Sequence, residues 1–145
     1  MPNWVENTLN IYGDETKINE IIHFLENEQN VIDFNKVISS NSISQSDLYE
    51  WCIENWGTKW NAQDGEITDK DDEMVQYFFR TAWSPAMPIA KTIAEKFNVS
   101  TELLYIGEPF GCNCGMIEFN ENGKEIEKKH FDKNGEEFIK NYFGV

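Results

Sequence analysis

The chain has 145 residues with 12 Lys and Arg against 26 Asp and Glu, a formal charge of −14, and 40% of its residues are hydrophobic. That length suits one core, and an aromatic content of 14% with five Trp excludes disorder, because burying those rings offsets the entropy of ordering the chain. No apolar run reaches the length of a membrane span, the start of the chain lacks the basic-then-apolar pattern of a secretion signal, and three cysteines give no disulfide framework, so a soluble cytoplasmic protein is expected.

Trp4 to Tyr12 alternates as a strand and ends at Gly13. Asp14 then caps a helix whose Ile18, Ile21, Ile22 and Leu25 form one apolar stripe. Residues 31–38 read as extended or irregular and residues 39–42 as a loop, after which Ser44 or Ser46 starts a short helix with Leu48, Trp51 and Cys52 inward and Glu50 and Glu54 outward. Residues 31–57 are read as an insertion. A short strand over Thr58 to Ala62 and a long acidic connection to Glu73 precede a strand over Met74 to Ala82. Ser84-Pro85 reads as a hydroxyl cap followed by a proline at the first helical position, and Ile89, Ile93, Ala94 and Phe97 make that helix's buried face.

Asn98 ends this helix, and Thr101 to Ile106 forms the next strand. Cys114 to Asn120 and Lys124 to Phe131 flank Asn122-Gly123, a dipeptide suited to a tight hairpin, and Phe138, Ile139 and Tyr142 mark a terminal helix with Asp132 as its cap. Without the insertion the order is strand, helix, strand, strand, helix, strand. This predicts an α+β class chain: a ferredoxin-like βαββαβ antiparallel sheet with helices on one face. Residues 112–145 extend it by a hairpin and a helix, and residues 1–145 form a single domain.

The charge is unevenly placed: residues 1–73 hold 16 acidic and 4 basic side chains, residues 74–145 hold 10 and 8. Asp47, Glu50, Glu54, Asp64, Glu66, Asp69, Asp71, Asp72 and Glu73 face only Lys59 and Lys70 over that stretch. Such a field repels phosphate backbones, which excludes direct nucleic-acid binding there, and steers a basic protein surface toward it. An acidic face serving solubility alone is the plainer alternative.

Three strings stand out together: Met1-Pro2-Asn3-Trp4 with Asn7, Asn55-Trp56-Gly57-Thr58-Lys59-Trp60-Asn61, and Thr81-Ala82-Trp83-Ser84-Pro85 with Pro88. In order and spacing, over residues 1–120, they resemble the YubB ferredoxin-like family of small plasmid- and phage-borne proteins. The resemblance implies a ferredoxin-like fold and a mobile-element origin, and it supplies no catalytic residues to transfer. The chain departs from the family pattern at Val5, where a small thiol residue is expected, and at Ala86, where a second proline is expected.

Trp56, Lys59, Trp60, Asn61 and Trp83 form a candidate ligand pocket, because the first four open one strand of a hairpin and Trp83 closes the other. A cation among aromatic rings can hold an anionic or planar ligand, and the alternative is a packed cluster in which Lys59 snorkels. Cys112 and Cys114, with Cys52, His23 and His130 elsewhere, are too few and too scattered for a zinc site, so no metal and no cofactor are expected. Residues 107–115 lack the ending of a phosphate loop and read as a turn.

No serine or cysteine nucleophile is placed beside either histidine, so the reading is non-enzymatic, with no catalytic residues. The leading expectation is a mobile-element protein that docks its acidic residues on a basic host protein, such as the nucleic-acid channel of a defence nuclease. A binder of nucleotide-like small molecules is second. An RNA-binding sheet ranks last, for want of the aromatic and basic RNP string.

Overall fold

The structure, a computed structural model, describes residues 3–143; Met1 and Pro2, which open the first of the three strings, lie outside the described residues. The elements are β1 (Trp4–Tyr12), α1 (Glu15–Leu25), α2 (Phe34–Val37), α3 (Leu48–Asn55), β2 (Gln63–Lys70), β3 (Met74–Ala82), α4 (Met87–Phe97), β4 (Ser100–Ile106), β5 (Cys114–Phe119), β6 (Glu125–Phe131) and α5 (Glu136–Phe143). The six strands form one antiparallel sheet in the order β2-β3-β1-β4-β5-β6. Its first four strands have the order that two interleaved βαβ units produce, and the class is α+β with a ferredoxin-like domain.

Alternation along the strands sends Leu9, Ile11, Val75, Tyr77, Phe79, Leu103 and Ile117 to one face, where they pack on Ile18, Ile21 and Leu25 of α1 and Ile89, Ala90, Ile93 and Ala94 of α4. Each buried Leu, Ile, Val or Phe among them contributes about 1.5–3 kcal/mol by leaving water. The opposite face of β4 and β5 carries Leu104, Cys114 and Met116, which pack with Phe138 and Ile139 of α5. Thus α5 lies across the sheet from α1 and α4.

Several local expectations need correction. Thr58 to Ala62 is a turn: Gly57 has φ +77°, Thr58 Oγ1 donates to the Ala82 carbonyl at 2.8 Å, and Asn61 Oδ1 accepts from the Ala62 N–H. The second strand is instead the acidic stretch itself. The free edge of β3 offers it backbone partners, and it follows that edge with bulges between Gln63 and Glu66 and between Ile67 and Asp69. The connection to β3 is accordingly short, closed by the Asp71 N–H on the Met74 carbonyl at 3.0 Å and by Asp71 Oδ1, which accepts from the Glu73 N–H at 2.7 Å.

Residues 34–37, read as irregular, form one helical turn because Asp33 Oδ1 accepts from the Asn35 N–H. Ser84 does not cap α4. Its hydroxyl donates to the Gly57 carbonyl at 2.6 Å, the helix starts at Met87 after Ala86, and Pro88 takes the first-turn position expected for Pro85. Asp132 does not cap α5, which begins at Glu136; its Oδ1 pairs with His130 Nε2 at 2.8 Å. In the β5–β6 loop only Gly123 has positive φ, +77°. The Gly123 N–H donates to the Asn120 carbonyl, the three-residue closure that needs its glycine at the last position.

Candidate functional site

The strings that carry the family resemblance meet at one end of the sheet, where β1 begins and β3 ends. Most of their residues hold backbone together. Asn7 Nδ2 donates to Thr81 Oγ1 at 2.9 Å, Thr58 and Ser84 tie the turn to the end of β3, and the Trp56 indole N–H donates to the Ile38 carbonyl at 2.9 Å. Gly57 lies against Pro88 so closely that a Cβ would sit 2.5 Å from its ring. Asn61 Oδ1 accepts from the Phe34 N–H at 2.9 Å and its amide donates to Asp33 Oδ1 at 2.8 Å, which fastens α2 to the start of β2.

Lys59, Trp60 and Trp83 are not used up in this way. Lys59 Nζ stands 4.6 Å from the centre of the Trp60 ring and 4.3 Å from that of Trp83, and no carboxylate lies within ion-pairing distance of it among the described residues. Trp60 and Trp83 remain 41% and 44% exposed, and Tyr49, whose ring meets Trp83 edge-on at 6.2 Å, is 49% exposed. Trp83 also has φ +73°, a left-handed conformation that costs a bulky residue about 1–2 kcal/mol.

Beside them, between α3 and the residues leading into β2, opens a cleft of about 430 Å³ lined by Asn35, Ser40, Gln45, Leu48, Tyr49, Cys52, Trp56, Lys59, Trp60 and Asn61. Four of the five pocket residues read from the sequence therefore line one cavity. The fifth, Trp83, holds the lysine from outside. Trp56 is only 4% exposed and packs edge-on against Phe34 and Trp51, so it forms wall and core at once. Cys52 lies buried at the cleft, where desolvation pushes its thiol up.

Sequence reading missed Gln45, in the turn before α3, and Tyr49, in the first turn of that helix. An isolated polar residue there carries no signal until the element it faces is known.

The nine acidic residues are all exposed, but they fall into three groups. Asp47, Glu50 and Glu54, at i, i+3 and i+7, belong to α3 and its cap. Asp64, Glu66 and Asp69 stand on β2, the edge strand; Asp64 sits 3.7 Å from Arg80. Asp71, Asp72 and Glu73 form the β2–β3 turn at the far end of that strand, roughly 24 Å from its start by strand rise.

Elsewhere, Cys112 is half-buried and Cys114 buried, and among the described residues no three His, Cys, Asp or Glu side chains are placed to hold a metal ion. His130 joins Tyr105 to Asp132: Nδ1 meets the Tyr105 hydroxyl at 2.6 Å and Nε2 meets Asp132. The hydroxyl is inaccessible, since Tyr105 is fully buried. No described helix is long and apolar enough to cross a membrane.

The fold is similar to that of the crystal structure of protein api92 from Yersinia pseudotuberculosis, with a TM-score of 0.65 at 7% identity over 90% of this chain and 98% of that one. No curated protein matches the sequence. A family model described as the ferredoxin-like domain in Api92-like protein matches residues 55–141, which include the turn that carries Lys59 and Trp60. With more than half of its length so matched, the chain belongs to that family of ferredoxin-like domains in Api92-like protein.

Proposed function

We propose that the chain is a non-enzymatic cytoplasmic protein of a phage or plasmid, akin to the YubB family, that binds a basic host protein through its acidic residues. A nucleic-acid channel of a defence nuclease is the kind of surface that fits, since it is built to receive a row of negative charge. The observation that carries the reading is the rigidity of the acidic stretch. It is an edge strand and a hydrogen-bonded turn, so Glu66, Asp69, Asp71, Asp72 and Glu73 are held in fixed order with no ion-pair partner among the described residues. A backbone already ordered loses little entropy when a partner closes on it, and the charges it carries raise the association rate from a distance.

The test compares the parent with a variant carrying Lys at Glu66, Asp69, Asp72 and Glu73; Asp71 is left in place because its carboxylate closes the turn. Affinity capture from a bacterial lysate at low and physiological ionic strength should give a basic protein whose association slows at least ten-fold in the variant and weakens with salt. A partner bound equally by both proteins, or indifferent to salt, removes the electrostatic mechanism.

A further inference from the structure

We propose that the cleft between α3 and the turn before β2 binds a small planar anion of the nucleoside monophosphate class, with the base against Trp60 and Tyr49 and the phosphate on Lys59. The inference is independent of the docking surface, since none of the nine acidic residues lines the cleft.

The first support is charge. Acidic residues outnumber basic ones by 26 to 12 in this chain, yet the lining of the cleft holds one cation and no carboxylate. Lys59 is held in place, because its ammonium lies over two indole faces at 4.6 and 4.3 Å. Those rings supply attraction without neutralising it, so an incoming anion meets a lysine that no carboxylate pairs among the described residues.

The second support is shape. About 430 Å³ lies within the range of small-molecule sites, which join apolar walls to a few polar groups. Leu48, Trp56 and Trp60 supply the walls. Asn35 and Asn61 are engaged in holding backbone, whereas the Gln45 amide and the Tyr49 hydroxyl make no hydrogen bond among the described residues and are free to read a ligand's polar edge. The third support is what the fold sacrifices here. Trp83 keeps its strained backbone and its exposed ring, and the visible result is the placement of Lys59.

The surroundings limit the ligand's length. Asp47, Glu50 and Glu54 project from the same helix as Tyr49, so a polynucleotide leaving the cleft would meet like charge, while a mononucleotide would not extend that far.

The experiment follows the five Trp indole N–H signals by NMR while the protein is titrated with AMP, with adenosine and inorganic phosphate as separate arms. Expected are saturable shifts centred on Trp60 and Trp83 with AMP at submillimolar affinity, and binding of adenosine and of phosphate at least ten-fold weaker. Trp60→Ala should weaken AMP about ten-fold or more, and Lys59→Gln should bring AMP to the level of adenosine while Lys59→Arg restores it. Both side chains are accessible, and retained dispersion of the remaining amide signals verifies folding. The Lys substitutions at Glu66, Asp69, Asp72 and Glu73 should leave AMP binding in place, which separates this site from partner docking. No shift with AMP at about 5 mM, or AMP binding unchanged in Lys59→Gln and Trp60→Ala, overturns the proposal; binding of adenosine or of phosphate as tight as AMP overturns the paired recognition it claims.

Discussion

At the scale of single residues, two buried tyrosines show how differently one hydroxyl can be treated. The Tyr105 hydroxyl reaches His130 Nδ1, so its burial is compensated. The Tyr77 hydroxyl is buried with no hydrogen-bond partner among the described residues, and burial, reinforced by Glu26, pushes its pKa well up. An unmet buried hydroxyl costs about 1–3 kcal/mol, whereas an apolar group of the same shape costs nothing comparable. Tyr77→Phe is therefore expected to be at least as stable as the parent at pH 7, by up to about 2 kcal/mol in urea unfolding. The sign at high pH follows from the raised folded value: above the ordinary value of 10.0 the unfolded chain ionises first, so the parent loses stability there and the Phe variant loses less. A lower urea midpoint for the variant would mean that the hydroxyl has a partner after all.

At the scale of elements, β1, α1 and β3 were legible because each buries one face and so writes its period into the sequence; the β5–β6 hairpin was legible from Asn122-Gly123 instead, since β5 is buried on both faces and β6 is exposed along nearly all its length. β2 was not. Its only large apolar residue is Ile67, it is exposed along most of its length, and its acids and glycine disfavour strand; pairing with β3 decides its conformation. The pocket residues were legible as aromatic and basic strings, and the short α3 helix with Leu48 and Cys52 inward was legible too; α2 was not, because it is a single turn anchored by tertiary bonds. Asn61 is the chief anchor.

Removing the Asn61 amide frees the Phe34 and Ala62 N–H groups and strips a donor from Asp33, so Asn61→Ala should cost about 2 kcal/mol at pH 7. Burial pushes the Asp33 carboxyl up, but hydrogen bonds from Asn61, Asn27 and the Asn35 N–H, with Lys36 nearby, outweigh it and hold the value below the ordinary 3.8. A depressed folded value means that this stability is present above 3.8 and lost as pH falls through the folded value. The gap between parent and Asn61→Ala should consequently narrow below pH 3.8, read from urea midpoints along a pH series. A gap that stays constant into acid would assign the whole effect to the two backbone bonds.

For the whole molecule, a formal charge of −14 works against the compact state, since like charges are brought closer by folding. The described residues contain few offsetting pairs, and those involving lysine or arginine are half-exposed. Raising ionic strength from 0.01 to 0.15 M shortens the screening length from about 30 to about 8 Å, which relieves repulsion between the turn and α3 while leaving contacts almost untouched. The melting temperature should therefore rise with salt. Partner binding, if electrostatic, should fall over the same range. Glu66→Lys with Asp72→Lys carries the argument to its end, because neither carboxylate makes a hydrogen bond with another described residue. The double variant, at a formal charge of about −10, should melt a few degrees higher at low salt, lose part of its salt response, and associate more slowly with the basic partner. A variant that melts lower would mean that these acids are needed by the edge strand itself; one that melts higher and still binds as fast would leave them as surface charge that opposes folding and serves solubility alone.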